Sequence, residues 1–141
     1  MASAVRLIRS DVLSDAAQYA YAYASTVPAG TRLVFLAGAC PLEPDGSTAA
    51  VGDYAGQAAR CIETMQEALR AAGASIEDVV STRVLVASSR QADLVAAWQV
   101  VRDAFGAHDV PSTLLGVTVL GYDDQLVEIE AVAAVADGQA T

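Results

Sequence analysis

Between Asp53 and Gly73 apolar residues recur at three- and four-residue spacing (Ala58, Cys61, Ile62, Met65, Leu69, Ala72). That period gives a helix one buried face, with Asp53 as its N-cap and Gly73 just past its C-terminus. A second run, Leu94, Ala97, Trp98, Val101 and Phe105, is capped by Ser88 or Ser89 and closed by Gly106. The remaining patterned segments alternate or are rich in β-branched residues, which is the habit of strands. They are residues 5–8, the alternating Tyr19-Ala-Tyr21-Ala-Tyr23, 32–37, 79–87, 114–120 and 126–135. Segment 32–37 is apolar on both faces and is expected to be central in its sheet.

Residues 27–31 read as a hairpin connection, 38–52 as a long irregular loop and 121–125 as a turn. The expected order is β-β-β-α-β-α-β-β, an α+β fold with a six-stranded, mostly antiparallel sheet. Two helices cannot cover both faces of such a sheet, so both should lie on one face. The other face, partly lined by the tyrosine row, then needs a partner, which a closed dimer or trimer would supply.

The 141 residues suit one domain, 1–141, with 136–141 as a frayed tail. An apolar share of 54% against 18% charged exceeds what a soluble surface requires, which again suggests a buried subunit contact. No run reaches the ~18–20 apolar residues of a membrane span. The N-terminus has no secretion-signal pattern, so no membrane association is expected and the cytoplasm is the default location.

The net charge is −9, and every basic residue apart from His108 is an arginine. Without lysine this chain can form no Schiff base and has no P-loop lysine. Its arginines are scattered, and an acidic chain is repelled by phosphate backbones, so no nucleic-acid partner is expected. Cys40 and Cys61 lack CxxC spacing and read as buried free thiols. His108, with no companion at ligand spacing, reads as a solvated surface residue, and no metal is expected.

Several segments together resemble the RidA/YjgF family of reactive-intermediate imine deaminases. They are AGACPLEPDG at 37–46, GDYAGQAARCIETMQEALRAAGASIEDVVSTRVLV at 52–86, DLVAAWQVVRDAFG at 93–106, the strand after Pro111, and VEIEAVA at 127–133. They cover about five-sixths of the chain in one order. The resemblance implies a chorismate-mutase-like fold and a homotrimer with helices outside and sheets forming a central barrel. It further implies small-molecule clefts between subunits in which 2-imino or enamine acids are hydrolysed to keto acid and ammonia, without metal or organic cofactor. Ribonuclease or translation-inhibitor activity, reported for some relatives, fits poorly with the negative charge.

Carried over residue by residue, the family's water-orienting glutamate is Glu128. Its ligand-approaching glycine is Gly38, flanked here by Ala37 and Ala39 where serine and glutamine are common. The stacking tyrosine corresponds to Tyr21, or to Tyr19. An asparagine common in the second helix is Trp98, which by its spacing belongs to the core. The departure lies two residues past Pro111, where the family's substrate-gripping arginine is Thr113; two further on, cysteine is replaced by Leu115. A guanidinium fork grips a carboxylate through two charge-assisted bonds, each worth about 1.5–3 kcal/mol, and threonine offers one neutral bond. Arg83 or Arg32 is the candidate substitute. Arg83 faces opposite to Val84 and Val86, either into the cleft or toward a carboxylate across the sheet. Two readings follow: a divergent imine or enamine hydrolase, or a trimeric binding protein that kept the cleft and lost the chemistry.

Overall fold

The computed structural model describes residues 2–10 and 21–136. Six strands and two helices follow in the expected order: β1 (Arg6–Ile8), β2 (Ala24–Thr26), β3 (Thr31–Phe35), α1 (Tyr54–Ala71), β4 (Val79–Ala87), α2 (Gln91–Phe105), β5 (Ser112–Val117) and β6 (Val127–Ala136). The strands divide into a β1–β2 ribbon and a four-stranded sheet of order β3-β6-β4-β5, rather than one six-stranded sheet. Only β4–β5 is parallel, since α2 carries the chain back between them; the other pairings are antiparallel.

Both helices cover the same face of the larger sheet. Ala58, Cys61, Met65 and Leu69 of α1 are fully buried with Ala97 and Val101 of α2, against Val84, Val86, Val127, Ile129 and Ala133. Fully burying side chains such as Met65 and Leu69 contributes about 1.5–3 kcal/mol each. The Asp53 side chain accepts the Gly56 N–H at 3.0 Å, and α1 ends as read from the sequence. Gly73 has φ +79°, which lets its own N–H reach the Arg70 carbonyl and the Ala74 N–H reach that of Leu69. No described helix is long and apolar enough to cross a membrane.

Several expectations need correction. β3 is an edge strand, not a central one: Val34 faces the core while Leu33 and Phe35 stand exposed on the helix-free face. Its two-sided apolar character therefore marks an uncovered surface. Residues 21–23 precede the strand, which begins at Ala24; Tyr19 lies outside the described residues. The Ala22 N–H donates to the Asp109 carbonyl, and Tyr21 packs edge-on to Trp98, holding this stretch against the α2–β5 connection. Neither serine is the N-cap of α2. Arg90 holds that place, while Ser88 Oγ accepts the Arg90 N–H and donates to Asp93.

His108 is half-buried, its Nε2 2.8 Å from the Val79 carbonyl, because the turn after α2 folds back onto the start of β4. Cys61 is buried but Cys40 only half so. Ala136 pairs with Thr31 in the ladder instead of fraying, and 137–141 lie outside the described residues.

One buried polar residue organises the loops around the open end of β6. Gln57 is fully buried on α1. Its Oε1 accepts the Leu126 N–H at 2.7 Å, and its Nε2 donates to the carbonyls of Asp124 (2.9 Å) and Ala50 (3.4 Å). Ala50 (φ +48°) and Asp124 (φ +61°) are also the two non-glycine residues of left-handed conformation among those described. The amide thus fastens two turns in an unfavourable backbone region. Replacing Gln57 by Leu leaves buried backbone groups unpaired, at about 1–3 kcal/mol for each group that finds no water. We expect Gln57→Leu to lower the urea midpoint by the equivalent of roughly 2–4 kcal/mol; a midpoint within error of wild type would show that these turns hold themselves.

Candidate functional site

The helix-free face of the larger sheet collects most of the residues singled out in the sequence. Alternation along β6 sends Val127, Ile129 and Ala131 into the core and leaves Glu128 and Glu130 on the open side. The ladders set their neighbours. Thr113 pairs with Arg83, which pairs with Glu130; one register step on, Leu115 pairs with Leu85, which pairs with Glu128. Leu33 and Phe35 from β3 extend the apolar part of this face. Arg83 resolves its two options toward the carboxylate within the protomer, with its guanidinium 2.9 Å from Glu130 Oε1. The pair borders a shallow concavity of about 240 Å³ that also takes in Phe35, Ser81 and Val132.

Glu128 is held in detail. After β3 the chain bends along β6, where Ala39 and Ile129 exchange backbone hydrogen bonds of 2.7 and 3.1 Å. That pairing brings Gly38 against the Glu128 side chain. A Cβ on residue 38 would sit 2.3 Å from Glu128 Oε2 and 2.7 Å from its carboxyl carbon, so only glycine fits there without moving the carboxylate. The other oxygen, Oε1, accepts from the Gln125 amide at 3.1 Å and from the Cys40 thiol at 3.2 Å. Gln125 itself is buried and fixed by the Tyr122 N–H and the Val127 carbonyl. One carboxylate oxygen is thus anchored by two donors, and the other lies beside the backbone of Gly38. This is the arrangement of a base or water-orienting group whose direction is set in advance.

Sequence reasoning missed Cys40 and Gln125 as partners of Glu128. Cys40 looked like a small core residue and Gln125 like a turn residue, and only the pairing of 39 with 129 brings them together. Burial, then the hydrogen bond to Glu128, then its negative charge push the Cys40 thiol up from 9.0 to about 11. Burial likewise raises Cys61. A thiol so protonated at neutral pH serves as a donor, not as a nucleophile.

Tyr21 is not brought to Glu128 within one protomer. It lies on the helix-bearing side at the β5 edge, its ring centroid 6.4 Å from that of Trp98 and 5.8 Å from that of Tyr23. With Trp98, Ser112 and Leu114 it lines a separate concavity of about 210 Å³. Trp98 is buried in the core, as its helical spacing implied. No cluster of three metal-ligating side chains occurs among the described residues.

Residues 14–135 match the family model described as endoribonuclease L-PSP. A RutC family protein of Pyrococcus abyssi is 31% identical over 111 residues, covering 79% of this chain and 84% of that protein. Among solved structures, a Rid-family protein of unknown function from Yersinia pestis superposes with a TM-score of 0.84 at 27% identity, over 94% of this chain and 99% of its own. TdcF of E. coli, solved with bound serine, gives a TM-score of 0.65 at 26% identity, over 83% of this chain and 89% of its own.

The Cys40–Glu128 contact can be read in solution through alkylation. Only the thiolate reacts, so a midpoint near 11 in place of 9.0 makes Cys40 roughly a hundredfold slower toward iodoacetamide at pH 8 than an ordinary thiol. Neutralising the carboxylate removes its charge and weakens the hydrogen bond, both of which raise the midpoint. In Glu128→Gln it should fall below 11 while burial, the largest cause, keeps it above 9.0. Site-resolved mass spectrometry across pH 7–11 measures this, and identical profiles in the two proteins would contradict the contact.

Proposed function

The chain belongs to the RidA/YjgF family, and from that premise we propose that it is a homotrimeric hydrolase of imines or enamines, releasing a carbonyl compound and ammonia. The observation that carries this reading is the fixed carboxylate of Glu128 beside the Gly38 backbone. Hydrolysis of a C=N bond needs a water delivered to carbon and a proton delivered to nitrogen. A carboxylate directed at a bound water supplies the first directly, and the proton it takes up supplies the second. In the productive complex the Gly38 amide holds a ligand oxygen, on the substrate or added to it by water, and Thr113, Leu115 and the Leu85 side chain form the opposite wall.

The uncovered sheet face supports the trimer. Phe35 is 73% exposed and Leu33 49%, and both stand beside the site. Large apolar side chains of this kind on an open sheet call for a partner surface. Closing three sheets into a barrel buries them and turns the shallow surface at Glu128 into a cleft. In that assembly Tyr21, distant from Glu128 within one protomer, closes the cleft of a neighbour. The serine bound to TdcF supports a small polar ligand for a chain of this fold.

A second reading is favoured by one specific residue. Thr113 lacks the positive fork that grips a carboxylate, so the cleft can have been kept for binding alone. The two readings separate in an assay that generates 2-aminoacrylate with a serine dehydratase and follows pyruvate and ammonia. Under the hydrolase reading wild type accelerates release and Glu128→Ala loses at least about tenfold of that acceleration, in line with losing a positioned base. No acceleration by wild type, with a gain in Thr113→Arg, would establish an intact scaffold devoted to another ligand, whether bound or hydrolysed. Sedimentation velocity should give three times the 14.5 kDa protomer mass, falling toward the monomer in Phe35→Glu; a monomeric wild type would contradict the intersubunit cleft.

A further inference from the structure

The charges around Glu128 select what the cleft takes in. Among the described residues of the four-stranded sheet, the helix-free face carries two carboxylates, Glu128 and Glu130, and one guanidinium, Arg83. Arg83 is spoken for by Glu130 at 2.9 Å. Where it meets β5 its neighbour is Thr113, which is neutral, and the next row toward Glu128 is Leu85 and Leu115. A carboxylate entering here would have to share Arg83 with Glu130 or displace it, so it gains less than it would from a free guanidinium. It would then stand beside two negative groups in a partly desolvated site. A substrate without a carboxylate meets none of this. Its protonated imine is a cation, which the net negative floor attracts, and an alkyl substituent finds Leu85 on the strand beside Glu128.

Resting on the hydrolase reading, we propose that the preferred substrates are carboxylate-free alkyl iminium ions, the products of amine oxidation, and not 2-imino acids. The step balances with one iminium ion and one water giving one carbonyl compound and one ammonium ion. Water adds to carbon while Glu128 takes its proton, giving the neutral carbinolamine. Glu128 returns that proton to nitrogen, the C–N bond breaks as the carbonyl forms, and the departing ammonia keeps the hydroxyl proton.

A matched pair of substrates tests this. A flavin-dependent amine oxidase acting on 3-methylbutylamine releases the alkyl imine. A flavin-dependent amino-acid oxidase acting on leucine releases the same skeleton bearing a carboxylate. Hydrolysis is read, with catalase present, as suppression of rapid semicarbazone formation, because semicarbazide traps an imine faster than it traps the carbonyl product. Wild type should favour the alkyl imine by at least about tenfold, the scale of one charge-assisted hydrogen bond. Glu130→Gln, which releases Arg83, should narrow that preference, and Thr113→Arg should narrow or reverse it. A wild-type preference for the imino acid would overturn the proposal while leaving the hydrolase reading intact, as would a preference unchanged in Glu130→Gln. Suppression of neither semicarbazone would sink the hydrolase reading and the proposal together.

Discussion

The contact on which the site depends is the approach of the Glu128 carboxylate to the backbone of Gly38. It exists because the chain leaving β3 does not depart from the sheet but pairs with β6 through Ala39 and Ile129. A side chain at position 38 would occupy the place of Glu128 Oε2. The remaining supports act on this contact from outside. Gln125 and Cys40 anchor the other carboxylate oxygen, and Gln57, from within α1, fastens the turn that carries Gln125. A core helix and the site are thereby joined through three side-chain amide or thiol groups. The geometry of the carboxylate is consequently a property of the packed fold and not of a mobile loop.

Much of this was legible in the residues. The helical period fixed α1 and α2 within a residue or two, and the β-branched run 79–87 coincides with β4. Alternation in VEIEA placed both carboxylates of β6 on the open face. What failed depended on tertiary pairing. Segment 32–37 is apolar on both faces for two different reasons: Val34 belongs to the core, and Leu33 and Phe35 belong to a surface that a single chain leaves open. The tyrosine alternation looked like a strand, but aromatic packing against Trp98 decides the position of Tyr21. Cys40 and Gln125 carried no local signal, because their role is created by a carboxylate 88 and 3 residues away from them.

Two features of composition acquire a structural meaning. The excess of apolar residues becomes the exposed edge of β3, the area a partner subunit would cover, and the Leu85–Leu115 row beside Glu128. The scarcity of positive charge becomes a site floor where the one arginine among the described residues of the helix-free sheet face is already in contact with Glu130. Thr113, at the position where the resemblance implies an arginine, would then not be an isolated departure. It sits in a neighbourhood whose other residues are also suited to an uncharged or cationic ligand, as the proposed alkyl iminium substrates require.

The most direct test is a crystal structure of the protein with 3-methylbutanamide, a neutral, stable amide that copies the shape of the alkyl imine. If Glu128 orients the hydrolytic water, the amide carbon will lie within about 3–3.5 Å of a water held by Glu128 Oε2, with the amide oxygen on the Gly38 N–H and the alkyl chain against Leu85. The amide bound instead between Tyr21 and Trp98, with no water joining it to Glu128, would contradict the assignment of this carboxylate.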